Sequence, residues 1–128
     1  MSAGRHTLTY FNVRGRGELP RLLFHAGGIP FVDNRIRLAT MKEEQAAGAY
    51  PFGQVPILDV EGTSARFCQS HAIAQYVASL AGLIPADNVE RLRCSMLLLC
   101  TEDVRAKLVA IRYSGRTGDD RVAMYREF

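Results

Sequence analysis

The chain has 128 residues, of which 48% are hydrophobic and 23% charged, values typical of a soluble globular protein that exclude wholesale disorder. Its net charge of +3 comes from fourteen scattered arginines and two lysines, an arrangement that argues against a nucleic-acid partner. No apolar stretch is long enough to span a bilayer and no leader-like apolar run is seen, so we expect no membrane partner. The three cysteines form no even disulfide framework, which indicates reduced thiols and a cytoplasmic location.

The cysteines and histidines give no sign of a metal or redox centre. The three cysteines, Cys68, Cys94 and Cys100, form no CxxC pair, and the three histidines lack metal-ligand spacing. We therefore predict no metal. The cysteines are interpreted as reduced thiols that fill small spaces in the core.

The predicted elements begin with a strand over residues 6–13, followed by a glycine- and arginine-rich turn at 14–17 and a helix with leucines at helical spacing. This order places Tyr10 beside the backbone N–H groups of a helix start, where an anion is stabilised. Residues 31–36 predict a second strand. The alanine-rich segment 38–50 predicts a short helix or a mobile loop.

A hairpin and a third helix complete this part of the chain. Strands over 57–60 and 65–68 flank a tight turn, and Ser70 is predicted to cap a helix over 71–81. Strands and helices in this order suit a mixed four-stranded sheet with flanking helices.

The C-terminal segment is predicted to be helical. A linker over 83–87 precedes a long helix over 88–113 with a rough 3.6-residue period, and residues 120–128 look like the start of a further helix. One long helix and a short one cannot bury both faces alone. We therefore expect this end to need a partner or further sequence.

Three motifs carry a family resemblance: LTYFNVRGRGE at 8–18, PFGQVPIL at 51–58 and QSHAIAQYVASLAGL at 69–83. With these motifs in this order, the chain resembles the glutathione S-transferases, most closely the sigma class, whose relatives include prostaglandin D synthase and the lens S-crystallins. The resemblance implies an α/β thioredoxin-like glutathione-binding domain over 1–82. It also implies a partial all-helical domain over 83–128, truncated relative to the family.

The resemblance also implies a glutathione site in which Tyr10 is the catalytic residue. The tyrosine hydroxyl would donate a hydrogen bond to the glutathione sulfur, and Arg16 would brace the site. Pro56 falls where the family has a cis-proline. The further implied glutathione-binding residues are Gly53, Gln54, Val55, Gln69, Ser70 and, toward the neighbouring subunit's site, Asp103.

Two positions depart from the family pattern. The chain has no tryptophan, and Met41 stands where the sigma class usually has the Trp that bonds the glycyl carboxylate. A thioether cannot donate that bond. Gly17 replaces a usual alanine in the first helical turn.

The implied function is a glutathione transferase, active as a homodimer, that conjugates the thiolate of glutathione to a small hydrophobic electrophile, or an isomerase that uses glutathione. Glutathione is then a co-substrate. One alternative is a catalytically weak or structural glutathione-binding relative, as among the S-crystallins. Another is a thioredoxin-type redox protein, against which the lack of a CxxC after the first strand argues.

Overall fold

The structure, a computed structural model, describes residues 5–127. The chain divides between Ile84 and Pro85 into two compact units, which are described separately.

The first unit holds a four-stranded sheet with three helices. Its elements are β1 (His6–Phe11), α1 (Glu18–Ala26), β2 (Phe31–Ile36), α2 (Leu38–Ala46), β3 (Ile57–Val60), β4 (Arg66–Cys68) and α3 (Ser70–Leu80). The strand order is β2-β1-β3-β4. β2 runs parallel to β1, whereas β1 with β3 and β3 with β4 are antiparallel. The predicted mixed sheet with flanking helices is confirmed.

The core of this unit lies between the sheet and the helices α1 and α3. Its buried members are Leu8, Phe24, Leu58, Ile73 and Val77. Fully burying an aliphatic or aromatic side chain of this size contributes about 1.5–3 kcal/mol. These side chains therefore fix how α1 and α3 lie on the sheet.

The structure corrects two local predictions and decides a third. The first strand ends at Phe11 instead of residue 13. Of the two alternatives predicted for residues 38–50, the helix is confirmed, over Leu38–Ala46. Ser70 is not the N-cap of α3, because it is already helical. The N-cap is Gln69, whose side chain makes no capping hydrogen bond.

The second unit contains α4 (Asn88–Arg112) and α5 (Gly118–Arg126), close to the predicted spans; residue 128 of the predicted second span lies outside the described residues. The Asp87 carboxylate caps α4 by accepting hydrogen bonds from the N–H groups of Val89 and Glu90 at 3.0 and 2.9 Å. Cys94 and Cys100 are exposed on this helix, so their interpretation as core residues is wrong.

Along α4, several large apolar side chains are exposed, among them Leu92, Met96, Leu97 and Leu99. Within residues 5–127, no helix combines the length and the apolar character needed to cross a membrane.

Candidate active site

The strand register brings three chain segments to one end of the sheet. Thr9 of β1 lies opposite Ile57 of β3, which lies opposite Cys68 of β4. The end of β1, the start of β3 and the end of β4 therefore share one edge. Tyr10, the 51–56 loop and the start of α3 all occur there.

Tyr10 is almost buried, with 9% of its surface exposed, and its ring packs against the turn that leads into α1. Its hydroxyl oxygen accepts a hydrogen bond from the backbone N–H of Arg16 at 3.1 Å. The phenol therefore lies beside a backbone donor, but this donor belongs to the turn before the N-cap Gly17 and not to the helix start that the sequence predicted. Two glycines make this contact possible. A Cβ at Gly15 would lie 2.4 Å from the Tyr10 hydroxyl oxygen, and one at Gly17 would lie 2.4 Å from ring atom Cδ1.

Arg21 is a buried residue of this region that the sequence interpretation missed. Only 3% of its surface is exposed. Its guanidinium donates hydrogen bonds to the carbonyl oxygens of Phe11 at 2.8 Å and Val13 at 2.9 Å, and to the Asp33 carboxylate at 3.0 Å. The Glu18 carboxylate lies 3.3 Å away. A buried charge is stable only when paired and hydrogen-bonded in this way.

The helical spacing of leucines concealed Arg21. Of these leucines Leu22 is 57% exposed, whereas Phe24 and Arg21 are buried. An arginine three residues after Glu18 also fits an ordinary surface ion pair. Nothing in the sequence alone distinguishes that surface pair from the buried arrangement seen here.

The loop that precedes β3 is held at Gly53 and contains a cis bond between Val55 and Pro56, as the resemblance implies. The Gly53 carbonyl oxygen accepts a hydrogen bond from the Gln45 side-chain amide at 2.6 Å, and its N–H donates to the Tyr50 carbonyl oxygen at 3.1 Å. The bond from Gln45 ties the loop to α2, and the bond to Tyr50 closes a turn within the segment after α2. The Gln54 side chain is exposed.

A polar cluster supports the base of this loop. Tyr50, only 5% exposed, donates its hydroxyl hydrogen bond to the Glu44 carboxylate. Burial, and then the bond to Glu44, raise the pKa of Tyr50 to about 12. Arg66 donates two hydrogen bonds to the Asp59 carboxylate, from Nε at 2.9 Å and from Nη2 at 3.0 Å. It also donates to the Ala49 carbonyl oxygen at 3.1 Å. The Asp59 carboxylate raises the pKa of Arg66.

The junction between β4 and α3 has an unusual backbone. Gln69 has φ 74° and ψ 107°, and it is the one non-glycine residue with positive φ in the described part of the chain. Such a conformation costs about 1–3 kcal/mol and is typical of functional sites. It directs the chain so that α3 starts at the same edge as Tyr10. The Gln69 side chain makes no capping hydrogen bond to the first turn of α3.

Other predicted residues are placed as follows. Arg16 contributes its backbone N–H to Tyr10, and its side chain is exposed. Met41 is half-buried on α2. Asp103 is exposed on α4, in the second unit. Within residues 5–127, no three His, Cys, Asp or Glu side chains are grouped to hold a metal ion.

The fold of the first unit, with its mixed sheet order and flanking helices, is that of a thioredoxin-like domain. Residues 6–79 match the sequence profile of the glutathione S-transferase N-terminal domain, which is more than half of the chain. The chain belongs to the glutathione S-transferase family.

Three similar proteins illustrate this membership. Glutathione S-transferase 3 of Caenorhabditis elegans is 44% identical over 88 residues, covering 69% of this chain and 41% of that protein. Hematopoietic prostaglandin D synthase of Gallus gallus is 43% identical over 86 residues, covering 67% of this chain and 41% of that protein. The crystal structure of the glutathione S-transferase from Ascaris lumbricoides superposes with a TM-score of 0.78 at 30% identity, covering 92% of this chain and 58% of that one. The matches thus span about two fifths of the two curated relatives.

Proposed function

We propose that this chain binds reduced glutathione at the Tyr10 edge of the sheet and stabilises its thiolate for attack on a small hydrophobic electrophile. The observation that carries the proposal is the hydrogen bond from the Arg16 N–H to the Tyr10 hydroxyl oxygen at 3.1 Å. With its oxygen engaged as an acceptor by the backbone, the hydroxyl keeps its own proton for a second acceptor. The sulfur of glutathione is that acceptor in the proposal.

A hydrogen bond from the Tyr10 hydroxyl to the glutathione sulfur is strong enough to make the thiolate the main form at neutral pH. A free thiol has a pKa of about 8.5, so only a few per cent is thiolate at neutral pH. A hydrogen bond to a charged acceptor contributes about 1.5–3 kcal/mol, and about 2.7 kcal/mol lowers a pKa by about two units. Tyr10 therefore activates the nucleophile by donating a hydrogen bond, and it does not act as the base.

The rest of the tripeptide is assigned to the two other segments at this edge. Gly53, Gln54 and Val55 bind its cysteinyl part through their backbone, at a loop held by Gln45 and Tyr50. Gln69 and Ser70 bind the γ-glutamyl carboxylate, at a helix start where the macrodipole favours an anion. Arg16 lies at the turn beside Tyr10.

The second unit supports a homodimer in this proposal. α4 exposes several large apolar residues, the kind of helix face that becomes covered on association. Asp103 on this helix would then reach the glutathione of the neighbouring subunit. Sedimentation of the 128-residue chain with glutathione tests this assignment, and a strictly monomeric glutathione-bound species would contradict it.

The main test has two steps. Retention on glutathione-agarose with elution by free glutathione establishes binding, and conjugation of chloro-dinitrobenzene establishes transfer. Tyr10→Phe is the decisive variant because it removes one hydroxyl and keeps the ring. We expect it to retain binding and to lose conjugation about 30- to 100-fold at about pH 6.5. An unchanged rate would refute the role of Tyr10. Binding by the unmodified chain with no conjugation would favour the structural, S-crystallin-like alternative.

A further inference from the structure

Arg21 touches both the backbone that follows Tyr10 and the Tyr10 ring. Two of its N–H groups hold the carbonyl oxygens of Phe11 and Val13, at 2.8 and 2.9 Å. Phe11 is the last residue of β1, so these bonds set the path by which the chain leaves the sheet directly after the tyrosine. The guanidinium carbon also lies 5.6 Å from the centroid of the Tyr10 ring, within the range of a cation–π contact.

The charge of Arg21 is largely cancelled on site. The Asp33 carboxylate, which also pairs with Arg35, lies 3.0 Å from its Nε, and the Glu18 carboxylate lies 3.3 Å from its Nη1, so the positive charges in this cluster are matched by two carboxylates. Its net electrostatic influence on a sulfur beyond the tyrosine is therefore small. What remains specific to Arg21 is the planar guanidinium geometry, which lets one side chain donate hydrogen bonds to two carbonyl oxygens and a carboxylate at the same time.

We propose that Arg21 is a positioning residue for thiolate stabilisation. It holds the backbone that follows β1 and contacts one side of the Tyr10 ring. The Tyr10 hydroxyl therefore keeps its hydrogen bond from the Arg16 N–H, and its proton remains directed at the glutathione sulfur. The inference rests on the proposed function, in which Tyr10 donates to that sulfur. It assigns the effect of Arg21 to geometry and not to its positive charge.

The test is a pH titration of the thiolate ultraviolet absorbance of bound glutathione, on the 128-residue chain and its variants. Arg21→Met removes both the charge and the planar guanidinium, whereas Arg21→Lys keeps the charge as a single point. We expect both to raise the apparent pKa of the bound thiol by about one unit and to lower kcat about tenfold at about pH 6.5. The KM for glutathione should change less than about twofold, since the carboxylate-binding segments are untouched. Full rescue by lysine would overturn the geometric role.

Arg35→Met is the matched control. Arg35 also pairs with Asp33, at 2.8 Å from Nη2, and donates to the Asn12 side-chain oxygen at 2.6 Å, but it donates to neither the Phe11 nor the Val13 carbonyl oxygen. We expect its thiol titration to equal that of the unmodified chain. An equal shift in the Arg35 and Arg21 variants would mean that Asp33 pairing alone matters, which overturns the proposal.

Two further variants make every outcome decisive. If neither Arg21 variant folds, Asp33→Asn loosens the guanidinium while leaving it in place. A smaller rise in the thiol pKa then supports the proposal, and no rise overturns it. Tyr10→Phe separates the two levels of the argument. If it leaves the titration unchanged, the proposed function fails and this inference fails with it. If it raises the thiol pKa and the Arg21 variants do not, only the role of Arg21 is wrong.

Discussion

Gly17→Ala is the substitution for which local propensity and the site make opposite predictions. Gly17 has helical angles, φ −83° and ψ −12°, which an alanine adopts without strain. On that ground alone the change should stabilise the protein by about 0.4–1 kcal/mol, because it restricts the unfolded chain. The family resemblance also places an alanine here.

The packing around Tyr10 reverses this expectation. The new Cβ would lie 2.4 Å from ring atom Cδ1, 2.5 Å from Cγ and 2.8 Å from Cβ of the tyrosine, whereas ordinary contacts begin at 3.4 Å. Rotation of the ring does not relieve the contact with the Tyr10 Cβ, because the Tyr10 backbone is fixed by its pairing with Arg35 in the sheet. Overpacking of this kind costs about 1–3 kcal/mol. Loss of the Arg16 N–H bond adds about 0.5–1.5 kcal/mol. The net expectation is a loss of about 2 kcal/mol in unfolding free energy.

Urea denaturation measures this loss, and a double-mutant cycle isolates its cause. In a Tyr10→Ala background the ring atoms are absent, so Gly17→Ala should become neutral or stabilising there. We also expect Gly17→Ala to raise the pKa of bound glutathione, because the displaced hydroxyl no longer meets the sulfur. A Gly17→Ala protein as stable as the unmodified one, with an unchanged thiol titration, would refute the packing argument.

Three further predictions concern residues around the sheet. Burial lowers the pKa of His6, whose Nδ1 has no hydrogen-bond partner among residues 5–127, so the neutral form is favoured in the folded state. Stability should be complete above about pH 6.5 and fall as the pH drops below it, and urea midpoints at about pH 7.5 and 5.5 should differ less in His6→Gln than in the unmodified chain. Gln69→Gly should relieve the positive-φ strain, raising the unfolding free energy by about 1 kcal/mol while weakening glutathione affinity in calorimetry, and a destabilised variant would contradict this. Tyr50→Phe should cost about 1 kcal/mol by thermal unfolding and abolish the phenol titration near pH 12, so a retained titration there would show that another tyrosine carries it.

The sequence predicted the sheet because three of its four strands have strong local boundaries, whereas the end of β1 was placed two residues too late. The strand 31–36 follows a glycine pair and a proline, and the hairpin is set by its glycine turn, so both are found close to their predicted spans. The helix over Leu38–Ala46 was ambiguous because none of its residues is buried. A helix without an apolar face leaves no periodic signal to detect.

The site was predicted only as far as its linear motifs extend. Tyr10 and the turn beside it were found, because one short segment encodes both. Arg21 was missed because its value depends on Asp33, which is close in space and distant along the chain. The cap of α3 was misplaced because a serine at a helix start normally caps it. Here the positive φ of Gln69 starts the helix one residue earlier, which no propensity scale anticipates.

The direction of the hairpin has a practical consequence for labelling. β3 ends beside the first residue of β1, since Val60 pairs with His6, so the turn that follows projects from the edge opposite Tyr10. Gly62 has φ 85°, and a side chain built there would meet no atom within 4 Å. A fluorophore or affinity tag inserted after this glycine would sit a full strand length from the phenol, and ligand-induced signals could be recorded without obstructing the reacting end.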